Sequence, residues 1–434
     1  MTHLTARAVR RRYLTLVAMR WFPTGLLIPV FVLLPLERGL SLGEVGLAAA
    51  GQGLVVLFLE LPTGGLADSL GRKQVLMAST LVGMTSVGIY LFAESFAVFF
   101  AAFALQGVFR ALDSGPLEAW YVDATHATDP EAQIQQGLSG AGIALGVAIA
   151  AGALLSGLLV TLDPIRGLEA LATPVVVSLA LQLIGLLGVV LLMTEIRSEK
   201  GWQAATRAAR ETPAAIRGGL RLLRDNRVLL AIVSVELFWG FGMATFETFT
   251  PLRLSEILGD ADRAAAITGP AASAAWLVSA AGAATVPWLG RRVGLAPAAM
   301  MLRVLQGIAV VGIGFATGVP GVIVAFLTAY LFHGASNPIH MTLLHRQVDG
   351  TLRATVSSLN SMAGLSAGAL GMIALTALAE ATSLSTATYV GALVLAAAAP
   401  LYIPAWRQSR KKEPARIRPV RTARTPGPAG PPPP

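Results

Sequence analysis

Apolar stretches long enough to cross a lipid bilayer recur along the whole chain, and they constrain its fold more than any other feature. Their approximate bounds are 14–36, 43–66, 74–93, 97–121, 136–161, 171–193, 228–250, 265–289, 297–317, 319–341, 355–379 and 384–406. About 20 consecutive apolar residues form a helix that spans the roughly 30 Å hydrocarbon core. Lipid offers no hydrogen-bond partner to an open strand edge, so these segments must be helical. The sequence therefore predicts an all-α membrane protein with twelve transmembrane helices.

Composition agrees with a chain whose main partner is the lipid bilayer. Of 434 residues, 54% are hydrophobic and 13% are charged, whereas soluble domains carry about 25% charged residues. The net charge of +9 raises the question of nucleic acid. The basic residues are not interleaved with aromatics on one face, however, so no nucleic-acid partner is predicted. The chain has no cysteine, which excludes disulfides and cysteine-containing metal sites. No cofactor is expected.

The basic residues predict the orientation of the chain and its division into segments. With the N-terminus inside, 27 of the 33 lysines and arginines lie in inner segments and four lie in outer loops, as the positive-inside rule requires. Both termini are therefore expected in the cytoplasm, in a multi-pass protein of a bacterial inner membrane. The predicted segments are a basic N-terminal tail (1–13), a six-helix half (14–193), a cytoplasmic linker (194–227), a second six-helix half (228–406) and a disordered, basic and proline-rich tail (407–434).

The first apolar stretch and the linker can each be interpreted in two ways. The first apolar stretch has about 23 residues, which exceeds the roughly 7–15 residues of a signal-peptide core, so it is interpreted as an uncleaved span. In the linker, Ile216, Leu220 and Leu223 recur at helical spacing beside three arginines. This pattern favours a basic amphipathic helix on the inner leaflet. A solvated, charged linker is the alternative.

A compact motif, GGLADSLGRKQVL, stands between the second and third spans. Glycine at positions 64 and 71 permits close helix approach and a tight reversal. Asp68 can accept hydrogen bonds from the exposed amides of the next helix. Arg72 and Lys73 hold the loop on the inner side. With twelve spans around it, this motif (Gly64, Asp68, Gly71, Arg72 and Lys73) resembles the loop signature of the major facilitator superfamily, and the resemblance covers residues 13–406.

The resemblance implies two pseudo-symmetric six-helix halves that transport a small solute by alternating access, in a protein that works as a monomer. An internal repeat agrees with the two halves, because one offset of 223 residues places Gly71 on Gly294 and Arg110 on His333. Duplicated halves are common in transporters. In the second copy Arg291 replaces Asp68 and Leu295 replaces Arg72, so the charge network around the turn is expected in the first half only.

The chain departs from the pattern of antiporting members of the family in two places. Ala150 and Ala151 stand in the fifth span where a Gly-Pro pair would be expected, and Phe103 stands where fourth spans carry an arginine. The stretch ELPTG, which contains Glu60, resembles the efflux-type branches. Export is therefore favoured, and import remains open.

Four ionisable residues in the first half are candidates for the substrate or proton pathway: Arg20, Glu60, Arg110 and Asp113. An ionisable side chain within a span costs about 2.5–3.5 kcal/mol on insertion scales, so it should face a cavity or a partner. Arg110 and Asp113 are i, i+3 neighbours and could form an ion pair. Arg20 has no acid within one turn and could pair with Glu60 or Asp113 on another helix.

The second half supplies the remaining pathway candidates. Glu236 and Glu247 in the seventh span are eleven residues apart and share one helix face with Trp239. An acid among aromatics suits a cationic or amphipathic solute. His333 and Asn337 in the tenth span also share a face, together with His340. Without a carboxylate or cysteine nearby, a hydrogen-bonding lining is favoured over a metal site.

The inner end of the fourth span adds Glu118 and Asp123 to the candidate gating residues. The family resemblance implies that Asp123 partners Arg72 and stabilises the state that is closed to the cytoplasm. An ordinary interfacial aspartate is the alternative. Glu118 could face either neighbouring helix.

Three functional hypotheses follow from the sequence. The leading one is proton-coupled efflux of small amphipathic or drug-like compounds, with Glu236 first and Asp113 second as the group that takes up the proton. The nearest alternative is an importer or facilitator of a nutrient or metabolite on the same fold. A membrane enzyme or a scaffold belongs to a different class, and the sequence contains no nucleophile–base pair, metal set or phosphate-binding loop to support an enzyme.

Overall fold

The computed structural model describes residues 5–194, 217–348 and 352–412, with the backbone alone for residues 60–62, 64–69, 354 and 412. The first half contains α1 (Ala6–Leu27), α2 (Leu33–Glu37), α3 (Leu42–Leu70), α4 (Arg72–Leu91), α5 (Phe96–Asp113), α6 (Pro116–Thr128), α7 (Gln135–Leu162) and α8 (Thr173–Leu192). The second half contains α9 (Arg227–Glu247), α10 (Phe249–Leu258), α11 (Ala261–Ala284), α12 (Val286–Val293), α13 (Leu295–Phe315), α14 (Val319–His345), α15 (Arg353–Ala381), α16 (Leu384–Ala397) and α17 (Ile403–Lys412). The described part is all-α, as predicted.

Eleven helical segments of the described chain are long and apolar enough to cross a membrane. Each of them matches one of the predicted spans from the second to the twelfth. The predicted first span corresponds to α1, which is not among these eleven segments and is less apolar because it contains five arginines, namely Arg7, Arg10, Arg11, Arg12 and Arg20. It nevertheless packs lengthwise against α7 and α8. The count of twelve spans therefore stays a prediction.

Several predicted boundaries differ from the structure. Helix α1 begins at Ala6, so most of the predicted N-terminal tail is helical, and α17 continues to Lys412 in the predicted C-terminal tail. Residues 217–225 of the linker are helical, with Leu223 buried and Leu220 exposed. The described residues exclude 195–216 of the linker, with Ile216 among them, and 413–434 of the C-terminal tail.

The predicted internal repeat is visible in the backbone. Gly71 and Gly294 both adopt a positive φ, of 100° and 84°, directly before the next helix. This conformation is open to glycine at little cost. The two halves differ at the fourth and tenth spans. Gly115 has φ 95° and separates α5 from α6, whereas the corresponding Pro338 lies inside the continuous helix α14.

The ends of the bundle can be told apart by their contacts. Arg12 donates to the Leu192 carbonyl and Lys73 to the Val190 carbonyl, which gathers the basic segments at one end. We call this the arginine-rich end. At the opposite end, Arg38 donates to the carbonyls of Leu91 and Ala93 and to Glu169.

The apolar core shows how the two halves meet. One buried cluster at the opposite end contains side chains of both halves, such as Leu34 and Phe99 from the first and Phe249 and Val310 from the second. At the arginine-rich end, the described side chains form two separate clusters, one within each half. Apolar burial, the main favourable term in packing, therefore holds the halves together at the opposite end.

Close helix contacts reinforce this closure at two seams between the halves. Gly157 of α7 packs against Gly269 and the Ala266 carbonyl of α11. Gly46 of α3 packs against Thr376 of α15. The contact between the halves at this end also affects Glu37. Partial burial and the negative charges of Asp262 and Glu169 raise the pKa of its carboxyl group. Since Asp262 belongs to the second half, the halves are in contact at this end.

Candidate transport site

A cavity of about 450 Å³ lies between the halves. Helices α1, α5, α6 and α7 form most of its wall, and Ser361 and Leu365 of α15 contribute from the second half. Tyr13 and Leu138 in the wall adjoin the arginine-rich end, where the described cores of the halves are separate. The volume lies within the roughly 300–1,000 Å³ of small-molecule sites.

An ion pair between Arg20 and Asp113 forms part of the cavity wall. The side chains are 14% and 11% exposed, so both charges are largely withdrawn from solvent. Ser79 Oγ adds a weaker hydrogen bond to Asp113 Oδ1 at 3.4 Å. Asp113 is one of the two acids considered for Arg20, and the side chain of the other, Glu60, lies outside the described residues. The pair between Arg110 and Asp113, which their spacing allowed, is not the one formed.

Arg110 and Glu118 also line the cavity. The Arg110 guanidinium lies over the Trp21 ring, 6.0 Å from its centroid, which is within the range of a cation–π contact. Glu118 is exposed to the cavity and lies on the first turn of α6. The helix break at Gly115 separates these two side chains and allows the chain to turn between them. The structure therefore places Glu118 beside the pathway candidates.

A second polar cluster is enclosed within the second half. His340 Nε2 lies 2.9 Å from Asn360 Oδ1 and 3.2 Å from Glu236 Oε1, and its Nδ1 lies 2.9 Å from Tyr402 Oη. Both partners of Nε2 are oxygens, so Nε2 carries a proton and donates to them, while the Tyr402 hydroxyl is the partner of Nδ1. The buried Arg303 of the same half donates from Nη1 to Gln306 Oε1 at 3.2 Å. Glu236 is therefore held among partners of its own half.

The position of Arg303 differs from the one assumed when the chain was oriented from its basic residues. The sequence analysis counted it among the basic residues of the inner segments, but the side chain is only 3% exposed and lies inside α13. Asn360 and Tyr402 were not predicted as site residues at all. Asn360 lies on α15 and Tyr402 on the short 3₁₀ helix Ala399–Tyr402 after α16, so only the packing of these elements against α14 brings them to His340. Polar residues at mid-span positions were the available signal.

Aromatic side chains surround the other predicted residues of the second half. The ring of Trp239 stacks on His333, with centroids 5.5 Å apart and planes inclined by 12°. Tyr330 Oη donates to Glu247 Oε1 at 3.4 Å. Asn337 is exposed and lies away from this stack, one turn further along α14. The residues predicted to share one face of the tenth span therefore lie in different surroundings. His333 belongs to the aromatic group, and His340 belongs to the buried polar cluster.

At the arginine-rich end, the turn between α3 and α4 contacts α6. Arg72 Nη1 donates to Asp123 and, at 2.5 Å, to the Ala119 carbonyl. The contact implied by the family resemblance is therefore formed, while its role in gating stays a prediction. The side chains of Glu60 and Asp68, and the contacts of Gly64, lie outside the described residues. Arg72 and Asp123 belong to the same half, so the pair does not itself bridge the halves.

A double-mutant cycle tests the gating role of this pair. We expect Arg72→Ala and Asp123→Asn each to lower the transport rate, with a double variant less impaired than the sum of the two. Interacting residues typically show a coupling of about 0.5–3 kcal/mol. Arg72→Ala should cost more, because it also removes the bond to the Ala119 carbonyl. Lys73→Ala is the matched control, since Lys73 donates to Val190 instead. Strict additivity of the two changes would exclude a functional pair.

Comparison with known proteins agrees with this architecture. The sequence profile described as Major Facilitator Superfamily matches residues 13–372. The chain belongs to the major facilitator superfamily. No curated protein matches the sequence. As a superfamily member with at least eleven apolar helices, it is a multi-pass membrane protein and a transporter.

Solved structures of other members share the fold at low sequence identity. The nucleoside transporter NupG has a TM-score of 0.74 and 13% identity, covering 92% of this chain and 99% of that one. The human organic anion transporter MFSD10 (TETRAN) has a TM-score of 0.62 and 16% identity, covering 92% of this chain and 100% of that one. The POT family transporter PepTSo has a TM-score of 0.71 and 11% identity, covering 94% and 99%. At these identities the likeness shows the fold alone.

Proposed function

We propose that the protein is a secondary active transporter that moves a small organic solute across the bacterial inner membrane by alternating access. The observation that carries the proposal is the cavity of about 450 Å³ between two halves whose described apolar cores merge at one end and are separate at the other. With the predicted cytoplasmic termini, the structure corresponds to a state open toward the cytoplasm. Rocking of the halves would close this end and open the other.

Proton coupling is the second part of the proposal. A carboxylate that lines the cavity and pairs with an arginine can take up a proton and release its partner, so protonation can bias the equilibrium between two states. Asp113 meets both conditions through its pair with Arg20. Glu236, which the sequence analysis ranked first, is held instead by His340 within the second half. The position in the cavity wall favours Asp113 as the coupling group.

The character of the cavity wall supports an amphipathic solute, and export is the leading direction. The wall combines Trp21, Arg110 and Glu118 with apolar side chains of α7. Charged, aromatic and apolar groups in one site suit an organic compound with both a polar and an apolar part. NupG and MFSD10 are described as carriers of nucleosides and organic anions. Import or facilitated passage of a metabolite is the alternative on the same fold.

Purified protein in liposomes tests the transport and the coupling together. The vesicles enclose a pH-sensitive dye, and a panel of organic cations, anions and zwitterions is offered under an imposed pH gradient. We expect at least one class to accumulate, with a matching change in lumenal pH. A protonophore should abolish the accumulation. Accumulation that a protonophore leaves unchanged would exclude proton coupling, and failure to move any solute would exclude the transport proposal.

The direction of transport needs a separate comparison. Everted membrane vesicles should take up the solute, and cells that overproduce the protein should contain less of it than cells that carry Asp113→Asn. Accumulation in intact cells, without increased resistance to toxic compounds, would instead support the importer.

A further inference from the structure

The N-terminus of α3 lies at the opposite end of the bundle, and its own half caps it only in part. The first N–H groups of any α-helix have no partner within the helix. Ser41 Oγ accepts from the Glu44 amide at 3.2 Å, and the Glu44 carboxylate accepts from the Ser41 amide at 2.8 Å. This capping box leaves the amide of Gly43, between the two residues, without a partner from the first half among the described contacts.

Glu380 of the second half supplies the missing acceptor. Its Oε2 accepts from the Gly43 amide at 2.8 Å and lies 3.5 Å from Ser41 Oγ. The carboxylate therefore sits at the positive end of the α3 dipole, where a negative charge is favoured. A Cβ at position 43 would lie only 2.6 Å from this oxygen. Glycine at position 43 thus allows the carboxylate to reach the backbone.

The contact stands at the outermost part of the seam between α3 and α15. One helical turn deeper, Gly46 packs against the Thr376 side chain, and further along a Cβ placed at Gly53 would lie 3.6 Å from the Cβ of Ala369. Glu380 is the penultimate residue of α15, so nothing of that helix but Ala381 lies beyond it. Any motion that parts the halves at this end must break the hydrogen bond from Gly43.

We propose that Glu380 is a latch, which completes the cap of α3 from across the seam and so stabilises the state in which the opposite end is closed. The proposal rests on the alternating access proposed above. When the seam opens, the Gly43 amide and the carboxylate each return to water, and the helix loses a cap. The latch thus adds a directional, charge-assisted bond to a seam that otherwise closes by apolar packing. Removing it shifts the balance toward the state with this end open.

Distance measurement between two spin labels tests the latch in the full chain. The protein has no native cysteine, so cysteines introduced at the exposed Glu94 and Thr382, one in each half, are the only labelled sites. In lipid nanodiscs, we expect Glu380→Gln to raise the population of the long-distance state relative to the parent by about tenfold, as for loss of a hydrogen bond to a charged group. Gly43→Ala should give the same shift, because its Cβ displaces the carboxylate.

Glu44→Gln is the matched control, since it weakens the cap of the same helix from within one half. It should leave the distance distribution unchanged. Size-exclusion and melting profiles identify any variant that fails to fold, and Gly43→Ala leaves the number of charged side chains unchanged. Unchanged distances in both Glu380→Gln and Gly43→Ala would overturn the latch, as would an equal shift in Glu44→Gln. If the distances shift as expected while the parent protein moves no solute in liposomes, the latch stands and the proposed function fails.

Discussion

Asp113→Asn is expected to abolish gradient-driven transport, with a loss of at least tenfold, while the protein remains folded. The carboxylate neutralises Arg20 in the wall of the cavity, and the two side chains are 14% and 11% exposed. Breaking a buried pair by removing one partner costs about 3–5 kcal/mol, because the other charge remains unpaired. The asparagine also mimics a permanently protonated carboxyl group. A lower melting temperature is therefore expected together with the loss of coupling.

The coupling role and a purely structural role of Asp113 can be separated in the same vesicles. If Asp113 carries the proton, the asparagine variant should still exchange labelled for unlabelled solute at equal pH, while it no longer accumulates solute under a gradient. If the pair is only structural, both activities should fall together. Retained accumulation under the gradient would exclude Asp113 as the coupling group and return Glu236 to first place.

Two control variants accompany this measurement. Ser79→Ala removes the weaker 3.4 Å hydrogen bond to Asp113 and should change transport only slightly. Asp129→Asn makes the same chemical change in the exposed connection between α6 and α7 and should leave both activities intact. Arg20→Gln combined with Asp113→Asn should recover part of the stability lost in the single variant, since no unpaired charge then remains.

Gly152→Val is expected to prevent the first half from folding correctly. Helix α7 crosses α1 at this glycine, and a Cβ there would lie 3.0 Å from Gly25 Cα and from the Leu26 amide nitrogen, and closer still to the Phe22 carbonyl oxygen. All three contacts are with backbone, which cannot move aside as a side chain can. Overpacking typically costs about 1–3 kcal/mol and occasionally more. We expect the upper part of this range or a complete loss of folded protein.

Gly142→Ala provides the comparison on the same helix. A Cβ at Gly142 meets nothing within 4 Å, and alanine favours the helix by about 1 kcal/mol over glycine. The melting temperature of this variant should stay the same or rise. Thermal unfolding in detergent measures both changes. A Gly152→Val protein that melts within a few degrees of the parent would show that the helices do not cross as closely as described.

The second half contains the same kind of close helix contact as the crossing of α7 and α1 in the first half. Gly240 of α9 packs against the backbone of α15 at Gly364, and Gly371 of α15 packs against the backbone of Phe241. The first and fifth spans of each half therefore meet through glycine. The sequence analysis considered the fifth span only for its missing Gly-Pro pair and did not predict that its glycines pack against the first span.

The sequence by itself determined the fold class, the spans from the second to the twelfth and the repeat of the turn at Gly71 and Gly294. These features depend on local properties, namely runs of apolar residues, clusters of basic residues and a glycine that adopts a positive φ. The helices differ from the predicted spans at their ends, as at Ala6 and Lys412, where they continue into polar sequence, and at internal breaks, as at Gly115. A charged sequence can remain helical once its helix has begun, so hydropathy alone misplaces such boundaries.

Only the tertiary structure decided which charges meet. Arg20 pairs with Asp113, 93 positions away, and not with an acid on its own helix, while Arg110 contacts Trp21. His340 joins Glu236 and Tyr402 inside the second half, and Glu380 reaches the amide of Gly43 in the first. The physical reason is that burial in an apolar bundle obliges every charge to find a partner. The identity of that partner depends on how the helices cross, which no local pattern in the sequence records.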